Sequence, residues 1–326
     1  MKKYKICIVG ASGLVDEKLI EVLNRYNFPI SKIYLYSSKR SAGKNVKIGE
    51  NNYIIRKLTR KFAKKVDFTF FMTDAKISLK YIPFCDNSSY VIDNSSAFRL
   101  NKNTPLIVPE INFSNIKSSR IISNPNCTTA ICSLPLYVIH ELYQITNICA
   151  CSYQSVSGYG YKGLNALTDK NLSNDIFYDD ITKNCIPKIG EFVYNGYTSE
   201  EQKFIDETKK ILNDSSIKIS ATCVRIPIPY CHSIALQVTT KQKIDLKKLE
   251  KAFNDHKSII FCPASECSKL PIATLALNDE KIFVGRVRND LSNENTLLLF
   301  VTGDNLMRGA AYNAYKIMEK LAYDSM

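Results

Sequence analysis

Short apolar runs alternate with helical patterns through the first hundred residues, and this alternation restricts the fold more than any other feature. Between the first two runs, the apolar positions from Leu14 to Leu23 lie on one face of a helix. Strands separated by helices predict a doubly wound parallel sheet, which binds ligands at the carboxyl ends of its strands. The predicted strands of this sheet are 5–9, 32–36, 66–72, 89–93 and 105–108.

After residue 127 the pattern changes to longer β-rich runs, which predict a second, α+β domain with a mostly antiparallel sheet. A helix is expected over 245–256, and a capped amphipathic helix from Asp304 to Leu321 is expected to pack on the first domain. We therefore divide the chain into a domain of residues 1–126 plus 304–326 and a domain of residues 127–303. The predicted strands of the second domain are 148–156, 217–227, 233–240, 281–287 and 296–302.

Length and charge limit the classes of partner. A chain of 326 residues suits two domains, and its net charge of +13 raises the question of nucleic acid. The lysines are dispersed, however, so we predict no nucleic-acid partner and attribute the charge partly to anionic small substrates. No apolar run reaches the length of a membrane span, and the run after Met1 reads as a strand. We therefore expect no membrane partner and a cytoplasmic location.

The cysteines and histidines show no metal-binding spacing. The eleven cysteines are odd in number, and the three histidines are far apart in sequence. We therefore predict no metal site and reduced thiols. The cysteines expected in the core are Cys7, Cys132, Cys149, Cys151 and Cys223.

The segment Arg120-Ile-Ile-Ser-Asn-Pro-Asn-Cys-Thr-Thr delivers Cys127 to the start of a predicted helix. Backbone N–H groups at a helix N-terminus favour negative charge, so a thiol placed there ionises more readily and can act as an acyl nucleophile. A lone cysteine in such a turn is more often a packing residue, and only the rest of the chain favours the nucleophile.

The turn Gly10-Ala-Ser-Gly13 joins the first strand to the first helix, which is the context of a dinucleotide pyrophosphate site. On its own the turn is a weak signal, since a plain tight turn has the same form. NAD-binding folds usually carry an acidic residue at the end of the second strand, where this chain has bases. Arg40, with Ser38 and Ser41, predicts a 2′-phosphate site and hence NADP, with an exposed basic loop as the alternative.

Together these segments resemble the aspartate-semialdehyde dehydrogenases of bacteria along essentially the whole chain. The resemblance implies a Rossmann-like NADP domain and a catalytic and dimerisation domain that forms a homodimer. The matching segments are 10–15 (Gly-Ala-Ser-Gly-Leu-Val), 40–44, 93–99, 108–112, 123–129 (Ser-Asn-Pro-Asn-Cys-Thr-Thr), 153–158, 200–203, 222–227, 283–288 and 304–311.

The resemblance also implies an activity, the reductive dephosphorylation of aspartyl phosphate to aspartate semialdehyde in lysine, diaminopimelate, threonine and methionine biosynthesis. Cys127 would form a thioester, and His232 would be the acid/base, since an unperturbed imidazole titrates near pH 6.5. Gln154 and Asn126 would orient the acyl group or its oxyanion. The residues implied to bind substrate are Arg99 and Lys203 for phosphate, Arg225 for the carboxylate and Glu200 for the ammonium. Those implied to bind the cofactor are Gly10, Ser12, Gly13, Leu14, Val15, Ser38, Arg40, Ser41, Ser157, Gly158 and Asn305.

Two positions depart from the family pattern. Asp16 replaces a third glycine, and Asp74 lies in a turn that is usually Ser-Ala-Gly. Either carboxylate could lie near the cofactor phosphates, so we expect weak cofactor binding. Two alternatives stay open at this stage. One is N-acetyl-glutamyl-phosphate reductase, which uses the same chemistry but tends to have glycine where this chain has Asn126. The other is a cofactor-impaired, non-catalytic derivative.

Overall fold

The computed structural model describes residues 2–62, 65–266 and 269–323. The chain divides into two compact units, one of residues 1–125 and 310–326 and the other of residues 126–309. The predicted domain ranges differ slightly from these units and stay a prediction. In the described part of the chain, no helix has both the length and the apolar character needed to cross a membrane.

The first unit is built on a six-stranded parallel sheet. Its elements are β1 (Tyr4–Val9), α1 (Leu14–Arg25), β2 (Ile30–Ser37), β3 (Asn45–Ile48), β4 (Asn51–Ile54), β5 (Arg56–Lys57), β6 (Phe68–Phe71), α2 (Ala75–Tyr81), β7 (Tyr90–Asp93) and β8 (Ile121–Ser123), with short 3₁₀ turns at Ile82–Phe84 and Phe113–Ile116. The sheet order β5-β2-β1-β6-β7-β8 reverses direction between β1 and β6. Doubly wound sheets bind ligands beside such a reversal, and the turn that follows β1 lies there.

The parallel sheet confirms the predicted fold class, but the predicted strand 105–108 is wrong. Leu106 makes only an isolated bridge to Ser123, and the sixth strand is β8 instead. The pairing of this segment with β8 is limited to the Ile107 N–H on the Ser123 carbonyl at 3.0 Å and the Ser123 N–H on the Pro105 carbonyl at 2.8 Å, and the backbone then turns, with the Ile111 N–H on the Val108 carbonyl at 2.9 Å. The Asn112 side chain accepts from the Val108 N–H at 3.0 Å and donates to the Leu106 carbonyl at 3.0 Å.

The second unit is built on a six-stranded mixed sheet. Its elements are α3 (Cys127–Tyr143), β9 (Ile145–Gln154), α4 (Gly160–Asn165), α5 (Lys170–Phe177), α6 (Ser199–Leu212), β10 (Lys218–Arg225), β11 (His232–Thr240), α7 (Leu246–Asp255), β12 (Ile259–Cys262), α8 (Ala273–Ala276), β13 (Ile282–Asn289) and β14 (Thr296–Gly303), with 3₁₀ turns at Val156–Tyr159, Ile181–Lys183 and Tyr194–Gly196. The strand order is β10-β9-β11-β14-β13-β12. The three inner pairings are antiparallel, which confirms the predicted mostly antiparallel sheet, and the two outer pairings are parallel.

The two faces of this sheet differ in burial. Along β9, Ile148, Ala150 and Ser152 are buried, whereas Cys149 is exposed and Cys151 is half-buried on the opposite face. The prediction that Cys149 and Cys151 are core residues is therefore wrong, because they occupy the outward positions of an alternating strand. Cys7, Cys132 and Cys223 are buried as predicted.

The chain ends in a π-helical turn, Met307–Ala311, and the helix α9, Tyr312–Tyr323. The predicted start at Asp304 is confirmed as a cap, since its carboxylate accepts from the N–H groups of Leu306 at 2.8 Å and Met307 at 2.9 Å. Within the first unit, α9 packs against α1, where the rings of Tyr26 and Tyr315 stack at 5.1 Å. The predicted packing of this helix is therefore confirmed.

Candidate active site

Cys127 is the first residue of α3 and Asn126 is its N-cap. The Asn126 side-chain oxygen accepts from the N–H groups of Thr128 at 2.9 Å and Thr129 at 3.4 Å. Its amide nitrogen donates to Oε1 of Glu200 at 2.8 Å. The cap orders the first turn of the helix, so the thiol lies where the helix dipole favours a thiolate.

Three predicted site residues occupy one row across neighbouring strands. Gln154 pairs with Arg225 on the parallel strand β10 and with His232 on the antiparallel strand β11. Residues directly opposite one another lie on the same face of a sheet, so the three side chains leave the sheet together. All three are buried. Residues that are far apart in sequence thus converge through strand register.

His232 is neutral in this environment. The Ser155 N–H donates to Nδ1 at 3.1 Å, while Nε2 is buried and has no hydrogen-bond partner among the described residues. Burial and the positive charge of Arg225 lower the pKa of His232 to about 3. The shift is away from the ordinary imidazole pKa near 6.5 because the imidazole is fully desolvated. With Nδ1 accepting, the ring proton lies on Nε2.

Arg225 and Glu200 form the charged part of the site. Burial lowers the pKa of Arg225, with Glu200 acting in the opposite direction. Burial raises the pKa of Glu200, but Lys203, the Asn126 hydrogen bond and Arg225 outweigh it, so the net shift is downward. Lys203 lies 3.4 Å from the Glu200 carboxylate. Glu200 is thus an ionised carboxylate that faces cations.

Two side-chain amides complete this group. Gln154 donates to the Ser152 hydroxyl at 3.1 Å and approaches Glu200 Oε1 at 3.5 Å. The Asn305 oxygen accepts from the Ser155 hydroxyl at 3.1 Å and from the Cys231 N–H at 2.9 Å. Asn305 thereby holds the segment that positions His232.

Two glycines permit close approaches that the sequence analysis did not explain. A Cβ atom on Gly309 would lie 2.9 Å from the Cys127 Cβ, and one on Gly158 would lie 2.9 Å from Nη1 of Arg225. Arg225 also donates to the Ser155 carbonyl beside Gly158. Gly309 was missed as a site residue because its partner is distant in sequence, although it falls in the matching segment 304–311.

The turn after β1 has the geometry of a phosphate-binding loop. Gly10 has φ +112°, and a Cβ there would lie 2.5 Å from the Met72 carbonyl oxygen. Gly13 is the N-cap of α1, and Leu14 and Val15 begin that helix half-buried. The Ser12 hydroxyl lies 3.0 Å from that of Ser37. A glycine turn that opens a helix at the sheet reversal fits a dinucleotide pyrophosphate.

Asp16 lies inside this turn. Its Oδ2 accepts from the Gly13 N–H at 3.3 Å, and its Oδ1 is buried with no hydrogen-bond partner among the described residues. Burial raises the pKa of this carboxyl well above its ordinary value, against the hydrogen bond from Gly13. Asp74, by contrast, is exposed and caps α2 through the Ile77 N–H at 2.9 Å. Of the two residues that depart from the family pattern, Asp16 is the one that lies at the N-terminus of α1, where the backbone N–H groups would face a phosphate.

The remaining predicted residues lie in the first unit. Arg40 and Ser38 are exposed after β2, and the Ser41 N–H donates to the Ser38 carbonyl at 3.1 Å. Arg99 is buried and donates to the carbonyls of Asn124 at 2.9 Å and Asn94 at 2.7 Å. The structure therefore places a polar cluster in the second unit and a nucleotide-type turn in the first. In the described ranges, no cluster of His, Cys, Asp and Glu side chains suits a metal ion.

The fold and site define a semialdehyde dehydrogenase. Residues 5–119 match the family description "Semialdehyde dehydrogenase, NAD binding domain", and residues 135–308 match "Semialdehyde dehydrogenase, dimerisation domain".

Similar proteins identify the family within this class. The aspartate-semialdehyde dehydrogenase of Rickettsia bellii is 36% identical over 98% of both chains, and that of Aquifex aeolicus is 34% identical over 99% of both. The crystal structure of aspartate semialdehyde dehydrogenase II from Vibrio cholerae is 34% identical, covers 100% of both chains and superposes with a TM-score of 0.93. This chain belongs to the aspartate-semialdehyde dehydrogenase family, whose members are oxidoreductases.

Proposed function

We propose that this chain catalyses the NADPH-dependent reductive dephosphorylation of L-aspartyl 4-phosphate to L-aspartate 4-semialdehyde through a thioester on Cys127. The observation that carries the proposal is the single sheet row of Arg225, Gln154 and His232, joined through Glu200 to the cap of the Cys127 helix. The Vibrio cholerae enzyme has also been solved as a complex with ASA, which supports the substrate.

Cys127 would supply the covalent chemistry. Its thiolate attacks the acyl-phosphate carbonyl, the C–O bond to phosphate breaks, and inorganic phosphate leaves behind a thioester. The bound nicotinamide supplies the hydride for reduction at the same carbon. Collapse of the resulting thiohemiacetal breaks the C–S bond, releases the aldehyde and returns the thiolate.

His232 would act from its neutral state. Its Nε2–H would donate a hydrogen bond to the oxyanion that forms on the acyl carbon, and it keeps its proton, because the thiohemiacetal alkoxide collapses to aldehyde and thiolate without a proton transfer. Arg225 holds the pKa of free His232 down, so pairing of Arg225 with a substrate carboxylate would raise that pKa when substrate binds. Gln154 would donate to the acyl oxygen.

Charged residues would recognise the substrate ends. The Arg225 guanidinium offers a planar fork to the α-carboxylate, and the ionised Glu200 offers an acceptor to the α-ammonium. We assign the phosphate to Lys203 and Arg99. Aspartyl phosphate carries all three charged groups, the α-carboxylate, the α-ammonium and the phosphate. The N-acetylated glutamyl phosphate has an uncharged nitrogen, so the ionised Glu200 supports aspartyl phosphate as the substrate.

We propose NADP as the cofactor. Gly10, Ser12, Gly13, Leu14 and Val15 would hold the pyrophosphate, and Ser157, Gly158 and Asn305 the nicotinamide end. The exposed Arg40, with Ser38 and Ser41, would bind the 2′-phosphate. Arg40→Ala should weaken NADPH binding by about tenfold, the effect of one lost charge-assisted contact, while NADH binding is unchanged. Lys39→Ala is the matched control, and equal losses for both nucleotides would contradict this assignment.

We further propose a homodimer formed through the second unit. The outward face of its sheet is lined partly by Cys149, Cys151, Leu298 and Phe300, and the rings of Tyr153 and Phe300 pack at 6.2 Å. Such a face suits a second copy, and the family description of this region names dimerisation. Sedimentation of the protein should give twice the chain mass of 36.9 kDa, and a monomer at micromolar concentration would contradict it.

The decisive experiment follows NADPH oxidation with aspartyl phosphate and with N-acetyl-glutamyl phosphate. We expect turnover with the first only. Cys127→Ser should lose on the order of 10³-fold or more in kcat, and Cys149→Ser, which changes an exposed cysteine on the other sheet face, should keep it. Mass spectrometry of quenched protein should place an acyl adduct on Cys127. Turnover without that adduct would contradict the mechanism, and no turnover with either substrate would favour the non-catalytic derivative.

A further inference from the structure

The helix α6 presents three charged side chains on one face. Glu200, Lys203 and Glu207 are spaced by three and four residues, which places them on the same side of a helix. Glu200 and Lys203 were expected at the site, but Glu207 was not. Glu207 is only 1% exposed, so its carboxylate lies in the protein interior. A buried carboxylate is costly unless hydrogen bonds compensate for the lost water.

Glu207 is bonded to the turn that carries the nucleophile. Its Oε2 accepts from the backbone N–H of Asn126 at 2.7 Å, which is the length of a charge-assisted hydrogen bond. The side chain of the same Asn126 is bonded to Glu200 at 2.8 Å. Both the backbone and the side chain of the α3 N-cap are therefore anchored to α6, by two glutamates that lie about two helical turns apart.

This double anchor fixes the residue next to Cys127. The N-cap must keep a non-helical conformation while its carbonyl starts the helix, and Asn126 has φ −58° and ψ 147°. Its N–H lies outside the helical hydrogen-bond pattern and needs a partner elsewhere. Glu207 supplies that partner, so rotation of the Pro125–Asn126 peptide would break the bond and shift the start of the helix that carries the thiol.

We propose that Glu207 is a positioning residue that holds the Pro125–Asn126 peptide, and with it the turn before Cys127, so that the thiol reaches the acyl carbon. Glu207 does not touch substrate, and it acts through the turn. The proposal rests on Cys127 as the nucleophile of the proposed function. A displacement of about 1 Å at a nucleophile can cost about 10²-fold in rate, so loss of this anchor should be visible in kcat.

The chain supplies a matched control in Glu201. This neighbouring glutamate of α6 is 7% exposed, and its carboxylate accepts from the N–H groups of Thr198 at 2.7 Å and Cys223 at 3.0 Å. It is thus a buried carboxylate on the same helix whose two bonds, among the described residues, go to backbone N–H groups other than that of Asn126. Equal substitutions at the two positions separate positioning of the thiol from support of the fold.

The test compares Glu207→Ala, Glu207→Gln and Glu207→Asp with Glu201→Ala and Glu201→Gln. Three quantities are measured for each variant: kcat and KM with aspartyl phosphate, the rate of iodoacetamide alkylation of the Cys127 peptide, and Tm. We expect Glu207→Ala to lower kcat and the alkylation rate by about 10- to 100-fold with KM changed less than about threefold. Glu207→Gln should recover most of both rates, because its amide oxygen still accepts.

The outcomes are distinct. Glu201 variants should lower Tm while both rates stay within about threefold of the parent. If Glu207→Ala lowers Tm but leaves both rates at the level of Glu201→Ala, or if Glu207→Gln is as slow as Glu207→Ala, the proposal is wrong. Should Glu207→Ala fail to fold, Glu207→Asp, which retracts the acceptor by one methylene, gives the same comparison. Alkylation needs no substrate, so an inactive parent would count against the proposed function alone.

Discussion

The backbone N–H of Ser155 donates to Nδ1 of His232 at 3.1 Å, and this bond determines how the histidine can work. An Nδ1 that accepts from an amide cannot carry a proton, so the neutral ring keeps its proton on Nε2. The unpartnered nitrogen is therefore a donor at rest. Only one tautomer serves the reaction, and a backbone amide selects it.

We predict that His232 stays neutral and Nε2-protonated from pH 8 down to about pH 4 in the free protein. Its pKa is lowered to about 3 by burial and by Arg225. Nitrogen chemical shifts of histidine-labelled protein should show one imidazole that does not titrate near pH 6.5. A His232 signal that titrates between pH 6 and 7 would contradict both the burial and the tautomer.

The same histidine should make stability depend on pH. In the unfolded chain His232 binds a proton below about pH 6.5, whereas in the folded chain it does not until about pH 3. The unfolded state thus binds more protons, and stability falls as pH drops through this window by about 1.4 kcal/mol per unit. His232→Gln should flatten the unfolding free energy measured in urea between pH 6 and 4. Parallel curves for parent and variant would rule this out.

Gly309→Ala should damage catalysis more than the fold. The new methyl carbon would lie 2.9 Å from the Cys127 Cβ, so the thiol must shift. We expect kcat to fall by about 10²-fold, the cost of a misplaced nucleophile. Gly285→Ala is the control, since its methyl would also meet a Cβ at 2.9 Å, that of Cys262 in β12. We expect Gly285→Ala to lower Tm and keep a normal kcat. Gly309→Ala should lower kcat and keep Tm close to that of the parent.

Asp16→Gly should tighten the binding of NADP. The Asp16 carboxyl accepts the Gly13 N–H, a donor at the helix end that suits a phosphate. Its removal should lower the NADP dissociation constant by about tenfold, as expected when one competing hydrogen-bonded group is lost. Calorimetry with NADP measures this without turnover. Asp74→Asn, which changes an exposed cap on α2, is the comparison, and an unchanged constant for Asp16→Gly would remove the idea.

Most of the fold could be predicted from the sequence because local patterns specify it. The apolar runs gave the parallel sheet and the inner antiparallel strands, and the Asp245 cap marked α7. The strand predicted over 105–108 is wrong because the segment pairs with β8 only around Leu106 and then turns at Val108. The prediction that Cys149 lies in the core was wrong because a short β-rich run does not indicate which of its two faces is buried.

The candidate site was predictable in its residue types but not in its bonds. The family resemblance supplied Cys127, Gln154, Arg225 and His232, and sequence order alone could not reveal that three of them share a row. The low pKa of His232 and the bond from Glu207 both depend on three-dimensional burial. Neither leaves a signal in a local window of sequence.

The row of Arg225, Gln154 and His232 has an evolutionary consequence. Because strand pairing alone aligns these groups, the loops that join the strands can grow or shrink without moving the chemistry. A single residue inserted inside β9 would instead turn Gln154 to the opposite face of the sheet, away from Arg225 and His232. Related enzymes should therefore tolerate no insertions within the three strands.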